Sequence, residues 1–360
     1  MIRLEKFKSE LANAGADAAV ISSQINIRYM TGFDYTDGYV LITKNKSYVL
    51  ADFRYIEAAN MTVDKSQYEV VMPDTSMLVC LSSLMDNEGV KTVLFEEAAL
   101  SYSDYERMKK MFVGIELCEG ASKIAEGMRL YKDAGEIEKM KKAQAITDAG
   151  FSHMLEVLTP NMTEIEAALE LEFFMRKMGA DGLAFETIAA SGTASALPHA
   201  VPRNVKLESG FFTLDFGARV DGYCSDMTRT VVLGKADENM KKLYNTVLLA
   251  QTTALEALHE GMLCRDADKI ARDIINGAGY EGRFGHSLGH GVGMYIHEAP
   301  RLASIPTYDV KLAPGHVVTV EPGIYLEGQY GCRIEDMVVC REDGSIYNFT
   351  QSKKELIELF

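Results

Sequence analysis

The chain has 360 residues, with 52 acidic and 37 basic side chains and a formal net charge of −15. This length exceeds what one hydrophobic core usually organises, so two domains are expected. The negative charge argues against nucleic acid or an anionic membrane as a partner, and no apolar run is long enough for a membrane span.

The first 122 residues predict a small α/β domain, because short β-type runs alternate with helical patterns. An amphipathic helix containing Leu4, Phe7 and Leu11 opens it and ends at Gly15. Strands are predicted at 18–21, 70–72 and 93–95 and in a hairpin over 39–52, and helices at 55–61, 76–85 and 103–113. Residues 120–126 are interpreted as the crossover to the next domain.

The second domain, predicted over 128–360, opens with a long helix over 135–158. A capping box at Thr163 and Glu166 then starts a helix that ends near Gly179. The same layout of helix and glycine recurs one hundred residues later, over 262–279. This recurrence indicates a duplicated half-domain, although the sequence similarity between the copies is faint.

A first hairpin is predicted from two β-type runs, 211–216 and 223–233, that flank Asp221-Gly222. Because side chains alternate along a strand, Asp215 and Asp226 then share one face, roughly 7–8 Å apart at Cα. That separation suits a metal pair spaced about 3.5–4 Å. The register that follows pairs Val220 with Tyr223, Asp215 with Thr228 and Gly217 with Asp226.

A second hairpin is predicted from strands at 316–320 and 333–339. Glu321 and Glu335 are each seven residues from Gly328, which lies in a turn-like stretch, so they are expected to be cross-strand partners. Like charges that face each other destabilise a sheet. Two such pairs of acids therefore predict a neutralising cation.

His290, in the segment HSLGHGVG, completes a set of mostly hard ligands suited to Mn²⁺, Co²⁺, Fe²⁺ or Zn²⁺. Any one of the acids alone would ordinarily be solvated. Asp215 and Glu335, however, lie inside apolar stretches, where an uncompensated carboxylate is costly. The sequence predicts two divalent cations held by Asp215, Asp226, His290, Glu321 and Glu335.

The strings LPHA, LDFGA, SDMTRT, GHGVG, HE, EPGIY and RIED occur here in order. As a set they resemble the signature of the pita-bread metallopeptidases of family M24, which include aminopeptidase P, prolidase, methionine aminopeptidase and creatinase. The resemblance covers nearly the whole chain. It implies an α/β (α+β) fold, with a creatinase-type N-terminal α/β domain followed by a pseudo-twofold pita-bread catalytic domain.

The Xaa-Pro peptidase branch is resembled most, through Pro198-His199, His297-Glu298 and the short gap between Glu321 and Glu335. Methionine aminopeptidases usually lack the N-terminal domain, and creatinases lack the metal ligands. The resemblance implies an Xaa-Pro aminopeptidase that acts on peptides with proline at the second position. It would use two divalent cations, for which Mn²⁺ is the first candidate. The alternatives are an Xaa-Pro dipeptidase and, more remotely, a non-catalytic peptide-binding relative. A homodimer is expected by analogy only.

The resemblance also implies roles for the metal ligands. Asp226 and Glu335 would bridge the cations, Asp215 would chelate one, and His290 with Glu321 would complete the other. Glu321 would in addition carry a proton to the leaving nitrogen.

Further side chains are implied to act on the substrate. His199 and His297, at nearly equivalent places in the two halves, would donate hydrogen bonds to the scissile carbonyl and the tetrahedral intermediate. His286 either lines a proline pocket or packs, and Arg301 either binds a substrate carboxylate or is a solvated arginine. Arg333, on the strand face of Glu335, would orient a ligand.

The cysteines and three of the histidines are not expected to take part in catalysis. Six cysteines without Cys-x-x-Cys spacing indicate reduced thiols and a cytoplasmic protein. Cys224, two residues from Asp226, is interpreted as a half-buried filler in preference to an oxidation-sensitive thiol. Three histidines are expected to have no functional role: His153, His259 and His316.

Overall fold

The computed structural model describes residues 3–305 and 309–360 and divides into two compact units, Met1–Arg129 and Leu130–Phe360. In the described part of the chain, no helix combines the length and the apolar character needed to cross a membrane.

The first unit is built on a mixed sheet of six strands among its described residues. Its strands are β1 Ala18–Ile21, β2 Gly38–Thr43, β3 Ser47–Ala51, β4 Glu69–Val71, β5 Thr92–Phe95 and β6 Glu116–Glu119. Its helices are α1 Arg3–Asn13, α2 Gln24–Thr31, α3 Ile56–Thr62, α4 Met77–Asn87, α5 Tyr102–Met111 and α6 Ala121–Arg129. The strand order is β4-β3-β2-β1-β5-β6. The predicted hairpin is present as β2 and β3, which pair antiparallel.

The predicted crossover at 120–126 was wrong, because these residues form most of helix α6. Ala121, Ala125 and Met128 are buried at helical spacing, and the helix packs against α1. The division between the units therefore falls after Arg129, beyond the predicted crossover.

The second unit contains two helix pairs and two larger sheets. Its helices are α7 Ala134–Val157, α8 Glu164–Lys177, α9 Glu238–Ala257 and α10 Cys264–Gly277, with a 3₁₀ turn at Gly192–Ala196. Its strands before helix α9 are β7 Gly182–Leu183, β8 Ile188–Ser191, β9 Gly210–Phe216, β10 Ala218–Val220, β11 Tyr223–Cys224 and β12 Met227–Leu233. Its later strands are β13 Gly289–Gly291, β14 Glu298–Leu302, β15 Val317–Val320, β16 Gly323–Leu326, β17 Tyr330–Arg333, β18 Asp336–Cys340, β19 Ile346–Asn348 and β20 Glu358–Leu359.

The duplication predicted from the sequence is confirmed in the helices. The bounds of α8 and α10 differ by one hundred residues at both ends, and α7 and α9 end at Val157 and Ala257. Each pair covers its own sheet, which is β20-β12-β9-β8 in one half and β14-β13-β15-β18-β19 in the other. The capping box at Thr163 is also present, whereas α10 begins after Leu263 without a side-chain cap.

Both metal-ligand hairpins keep the predicted register but are interrupted. In the first, Asp215 pairs with Thr228 and Val220 with Tyr223, and pairing stops between them at Gly217 and residues 225–226. In the second, Val320 pairs with Asp336, and Gly323 pairs with Arg333 on the far side of residues 321–322 and 334–335. The predicted strands 223–233 and 333–339 are thus interrupted at residues 225–226 and 334–335, and Glu321, predicted just after its strand, lies in the same gap as Glu335.

The close approach of β13 to β15 depends on Gly289. A Cβ at this position would lie 1.9 Å from the carbonyl oxygen of Thr319, so Gly289→Ala must push the strands apart. We expect a loss of about 1–3 kcal/mol in the free energy of unfolding. Gly285→Ala is the matched control, since nothing lies within 4 Å of its added Cβ. Equal thermal unfolding midpoints for the two variants would contradict this packing.

Candidate metal centre

The five predicted metal ligands converge from both hairpins and from β13. His290 Nε2 lies 3.5 Å from Asp226 Oδ2 and 3.4 Å from Glu321 Oε1. One ligand atom from each of Asp226, His290 and Glu335 can be chosen so that all lie within 4.8 Å of one another. Asp215 joins this cluster through Arg333, whose guanidinium donates to Asp215 Oδ2 at 2.5 Å.

The cluster is strongly charged for its degree of burial. Asp226 and Glu335 are buried, and the side chains of Asp215 and Glu321 are 13% and 15% exposed. Burial, and then the neighbouring carboxylates, raise the pKa values of Asp226 and Glu335 well above their ordinary range. Burial also raises the pKa of Glu321 to about 8 although Arg333 opposes the shift. Without a cation, protonation relieves this repulsion.

His290 is held in the tautomer that suits a metal ligand. Its Nδ1–H donates to the carbonyl oxygen of Gly291 at 3.1 Å, and its backbone N–H donates to Thr319 Oγ1 at 3.1 Å. Burial lowers the pKa of the ring to about 4, so it is neutral at physiological pH. Its Nε2 lone pair consequently faces two carboxylate oxygens. All three atoms are acceptors, so a proton or a cation must lie between them.

Asp215 provides a second indication of a cation. One of its oxygens accepts from Arg333, whereas Oδ1 is buried and has no hydrogen-bond partner within residues 3–305 and 309–360. Buried carboxylate oxygens are normally paired or coordinated to metal. With four carboxylates and one neutral imidazole, the residues fit a site for divalent cations.

Arg333 contacts two of the ligands, one directly and one through a threonine. It was predicted to orient a ligand from the strand face of Glu335, and it donates directly to Asp215 and is connected to Glu335 through Thr228. Its Nε donates to Thr228 Oγ1 at 3.0 Å, and this hydroxyl donates to Glu335 Oε2 at 2.7 Å. Thr228 was not identified as a site residue, although the predicted register already placed it opposite Asp215.

His286 and Tyr325 extend the hydrogen-bond chain from Arg333. Arg333 donates to the Tyr325 hydroxyl at 2.6 Å, and His286 Nε2 lies 3.0 Å from that hydroxyl. His286 Nδ1 donates to the carbonyl oxygen of Ser287 at 2.9 Å, and burial lowers the pKa of the ring to about 4. Both ring nitrogens thus have protein partners, and whether His286 lines a proline pocket or only packs stays a prediction. Tyr325, in the string EPGIY, was missed from the sequence.

His297 and Arg301 lie beside the cluster, and His199 acts electrostatically on His297 and His286. The rings of His297 and His290 are 4.4 Å apart and nearly perpendicular, and Arg301 is the cross-strand partner of His290. Burial, followed by the charges of Arg301 and His199, lowers the pKa of His297. The catalytic and substrate-binding roles of these three side chains remain predictions.

The other histidines have structural surroundings. His153 pairs with Glu170 at 2.7 Å and stacks on Phe174. His316 packs against Tyr131, and His259 bonds the carbonyl oxygen of Glu260.

The cysteines also have structural surroundings. All six are unpaired thiols. Burial raises the pKa of Cys224 to about 12, so this thiol is a poor nucleophile. This agrees with its interpretation as a filler, although Cys224 is buried and not half-buried as predicted.

Known proteins resemble this chain along its whole length. The family model of metallopeptidase family M24 matches residues 138–342, and that of the creatinase/prolidase N-terminal domain matches residues 3–131. An Xaa-Pro dipeptidase of Pyrococcus horikoshii is 36% identical over 349 residues, which cover 95% of this chain and 94% of that protein.

Two solved structures share the fold closely. An Xaa-Pro dipeptidase from Bacillus anthracis is 41% identical with a TM-score of 0.94, and the match covers 99% of each chain. An X-Pro aminopeptidase from Thermotoga maritima is 36% identical with a TM-score of 0.91, and the match covers 100% of each chain.

The electrostatics of the cluster can be tested on metal-free protein. Because the pKa of Glu321 is raised from 4.5 to about 8, its contribution to folding stability is complete below 4.5 and is lost as the pH rises through about 8. Glu321→Gln stays neutral. We therefore expect the thermal unfolding midpoint of this variant to exceed that of the wild type only slightly at about pH 5 and much more at about pH 9.

The control for this comparison is Glu327→Gln, an exposed position on the same hairpin. Its difference from the wild type should be the same at both pH values. A Glu321→Gln difference that does not grow with pH would contradict the raised pKa.

Proposed function

This chain belongs to metallopeptidase family M24, and we propose that it hydrolyses the bond between an N-terminal residue and a following proline. We propose that it uses two divalent cations, for which Mn²⁺ is the first candidate. The observation that carries the proposal is the convergence of Asp215, Asp226, His290, Glu321 and Glu335 on one crowded, largely buried point. The relatives named Xaa-Pro peptidases support the proline specificity.

Asp215, Asp226, His290, Glu321 and Glu335 would hold the cations. Bound there, divalent cations supply Lewis-acid activation of a water molecule and of the scissile carbonyl. Arg333 and Thr228 fix the oxygens of Asp215 and Glu335, and Gly291 fixes the tautomer of His290. These contacts reduce the reorganisation that the site needs during the reaction.

The remaining steps belong to side chains beside the ligands. His297 and His199 donate hydrogen bonds to the carbonyl oxygen as negative charge develops on it. Glu321 carries the proton to the leaving nitrogen. This proton is essential because, without it, the prolyl nitrogen would have to leave as a strongly basic amide anion.

Dipeptides are the substrate class that we favour. Arg301 lies opposite His290 on the neighbouring strand, where its guanidinium can bind the free carboxylate of an Xaa-Pro dipeptide. This reverses the order expected from the sequence, in which the aminopeptidase stood first. Xaa-Pro-Yaa peptides remain the second candidate, since the similar structure from Thermotoga maritima is described as an X-Pro aminopeptidase.

A substrate panel with controlled metal tests the activity. We expect purified protein to cleave Xaa-Pro after addition of Mn²⁺ or Co²⁺ and to lose turnover in chelator, because the ligands hold the activating cations. Met-Ala-Yaa should be a poor substrate. Hydrolysis that persists in chelator, or Met-Ala-Yaa cleaved as fast as Xaa-Pro peptides, would reject the proposal.

Arg301→Ala separates the two substrate classes. We expect KM for Xaa-Pro to rise about 10- to 100-fold, as for the loss of a charged hydrogen bond, while Xaa-Pro-Yaa is affected little. Arg265→Ala, on helix α10 and paired with Asp309, is the control and should change neither. Equal losses on both substrates would remove the argument for dipeptides.

A further inference from the structure

The segment between β13 and β14, residues 292–297, carries His297 to the metal centre. It is fastened at its start, where the Cys224 N–H donates to the carbonyl oxygen of Gly293 at 2.8 Å. It ends at His297, directly before Glu298, the first residue of β14. The His297 ring lies against the ring of His290, whereas the Glu298 carboxylate accepts from the backbone of the segment.

Glu298 holds the segment from within. Its Oε1 accepts the backbone N–H of Tyr295 at 3.0 Å, two residues before His297. Its Oε2 accepts from Lys132 Nζ at 3.1 Å, and the side chains of Glu298 and Lys132 are only 5% and 1% exposed. A Cβ on Gly293 would lie 2.4 Å from Glu298 Oε2, so this carboxylate fills the space that the glycine leaves.

A buried ion pair does not by itself indicate a gain in folding stability, because the cost of desolvating the two charges can exceed their attraction. This one has a specific consequence for geometry. Lys132 holds the carboxylate, the carboxylate holds Tyr295, and His297 is the residue that joins this bonded turn to β14. A shift of the turn would move the His297 ring relative to His290.

We propose that Glu298, held by Lys132, is a positioning residue that orients the His297 ring toward the metal centre. The functional part of this inference rests on the proposed function, in which His297 donates a hydrogen bond to the scissile carbonyl. It also gives a reason for the second glycine of the string GVG, since Gly293 makes room for the carboxylate.

Three variants test the proposal. Glu298→Gln cannot accept from Tyr295 and Lys132 together, so we expect kcat on Xaa-Pro to fall about 10- to 100-fold with bound metal unchanged and KM within about twofold. The double variant Lys132→Met/Glu298→Gln removes both charges and leaves the amide oxygen free to accept the Tyr295 N–H. It should recover most of kcat. Asp273→Asn breaks the exposed pair with Lys269 and is the control, with no expected change.

A second readout is independent of activity. In protein loaded with diamagnetic Zn²⁺ and labelled with ¹⁵N-histidine, the ring signals of His297, assigned with His297→Gln, should shift in Glu298→Gln and return in the double variant. His153, which pairs with Glu170, is the internal reference and should stay constant.

The outcomes separate the two claims. If Glu298→Gln lowers the thermal unfolding midpoint but moves neither kcat nor the His297 signals, the ion pair is only structural and the proposal is wrong. If the wild type cleaves no Xaa-Pro peptide and the His297 signals still follow Glu298, the proposed function fails while the positioning role stands.

Discussion

The crowding of four carboxylates around one guanidinium is the interaction on which the site depends. Asp215, Asp226, Glu321 and Glu335 lie buried or nearly buried, and Arg333 donates directly to Asp215 and acts on the other three carboxylates through its charge. The chain can tolerate this charge either by protonation, which the raised pKa values of Asp226, Glu321 and Glu335 describe, or by binding cations. Metal binding and the stability of this unit are therefore linked, because the same carboxylates decide both.

The interruptions in the two hairpins explain how strands can supply such a site. A continuous ladder would engage the backbone of Asp226, Glu321 and Glu335 in regular pairing. Here the pairing stops at these residues and resumes in the same register on the far side, so their positions stay fixed by the flanking strands. The backbone N–H of Glu335 instead donates to the carbonyl oxygen of Thr228 at 3.1 Å, which joins the two hairpins directly. Each half of the duplicated unit thus contributes one hairpin to a shared centre.

Local signals in the sequence were sufficient for much of this arrangement. The Asp221-Gly222 turn and the equal spacing of Glu321 and Glu335 about Gly328 determined both registers, and the recurrence of a helix followed by glycine one hundred residues later indicated the duplication. What the sequence did not reveal are contacts between distant segments. Arg333 meets Asp215 across 118 residues, and Lys132 meets Glu298 across 166, and neither pair leaves a periodic pattern. The gaps in strand pairing could not be predicted, because residues that lie in a gap have the same β-type composition as the paired residues around them.

We infer that cations held by the five ligands neutralise the repulsion between the carboxylates of this site. Diffraction at the manganese absorption edge, from crystals grown with Mn²⁺, tests that inference most directly. Two anomalous peaks among Asp215, Asp226, His290, Glu321 and Glu335 are the predicted result. Peaks confined to other acidic surfaces, with no density inside this cluster at saturating Mn²⁺, would contradict it.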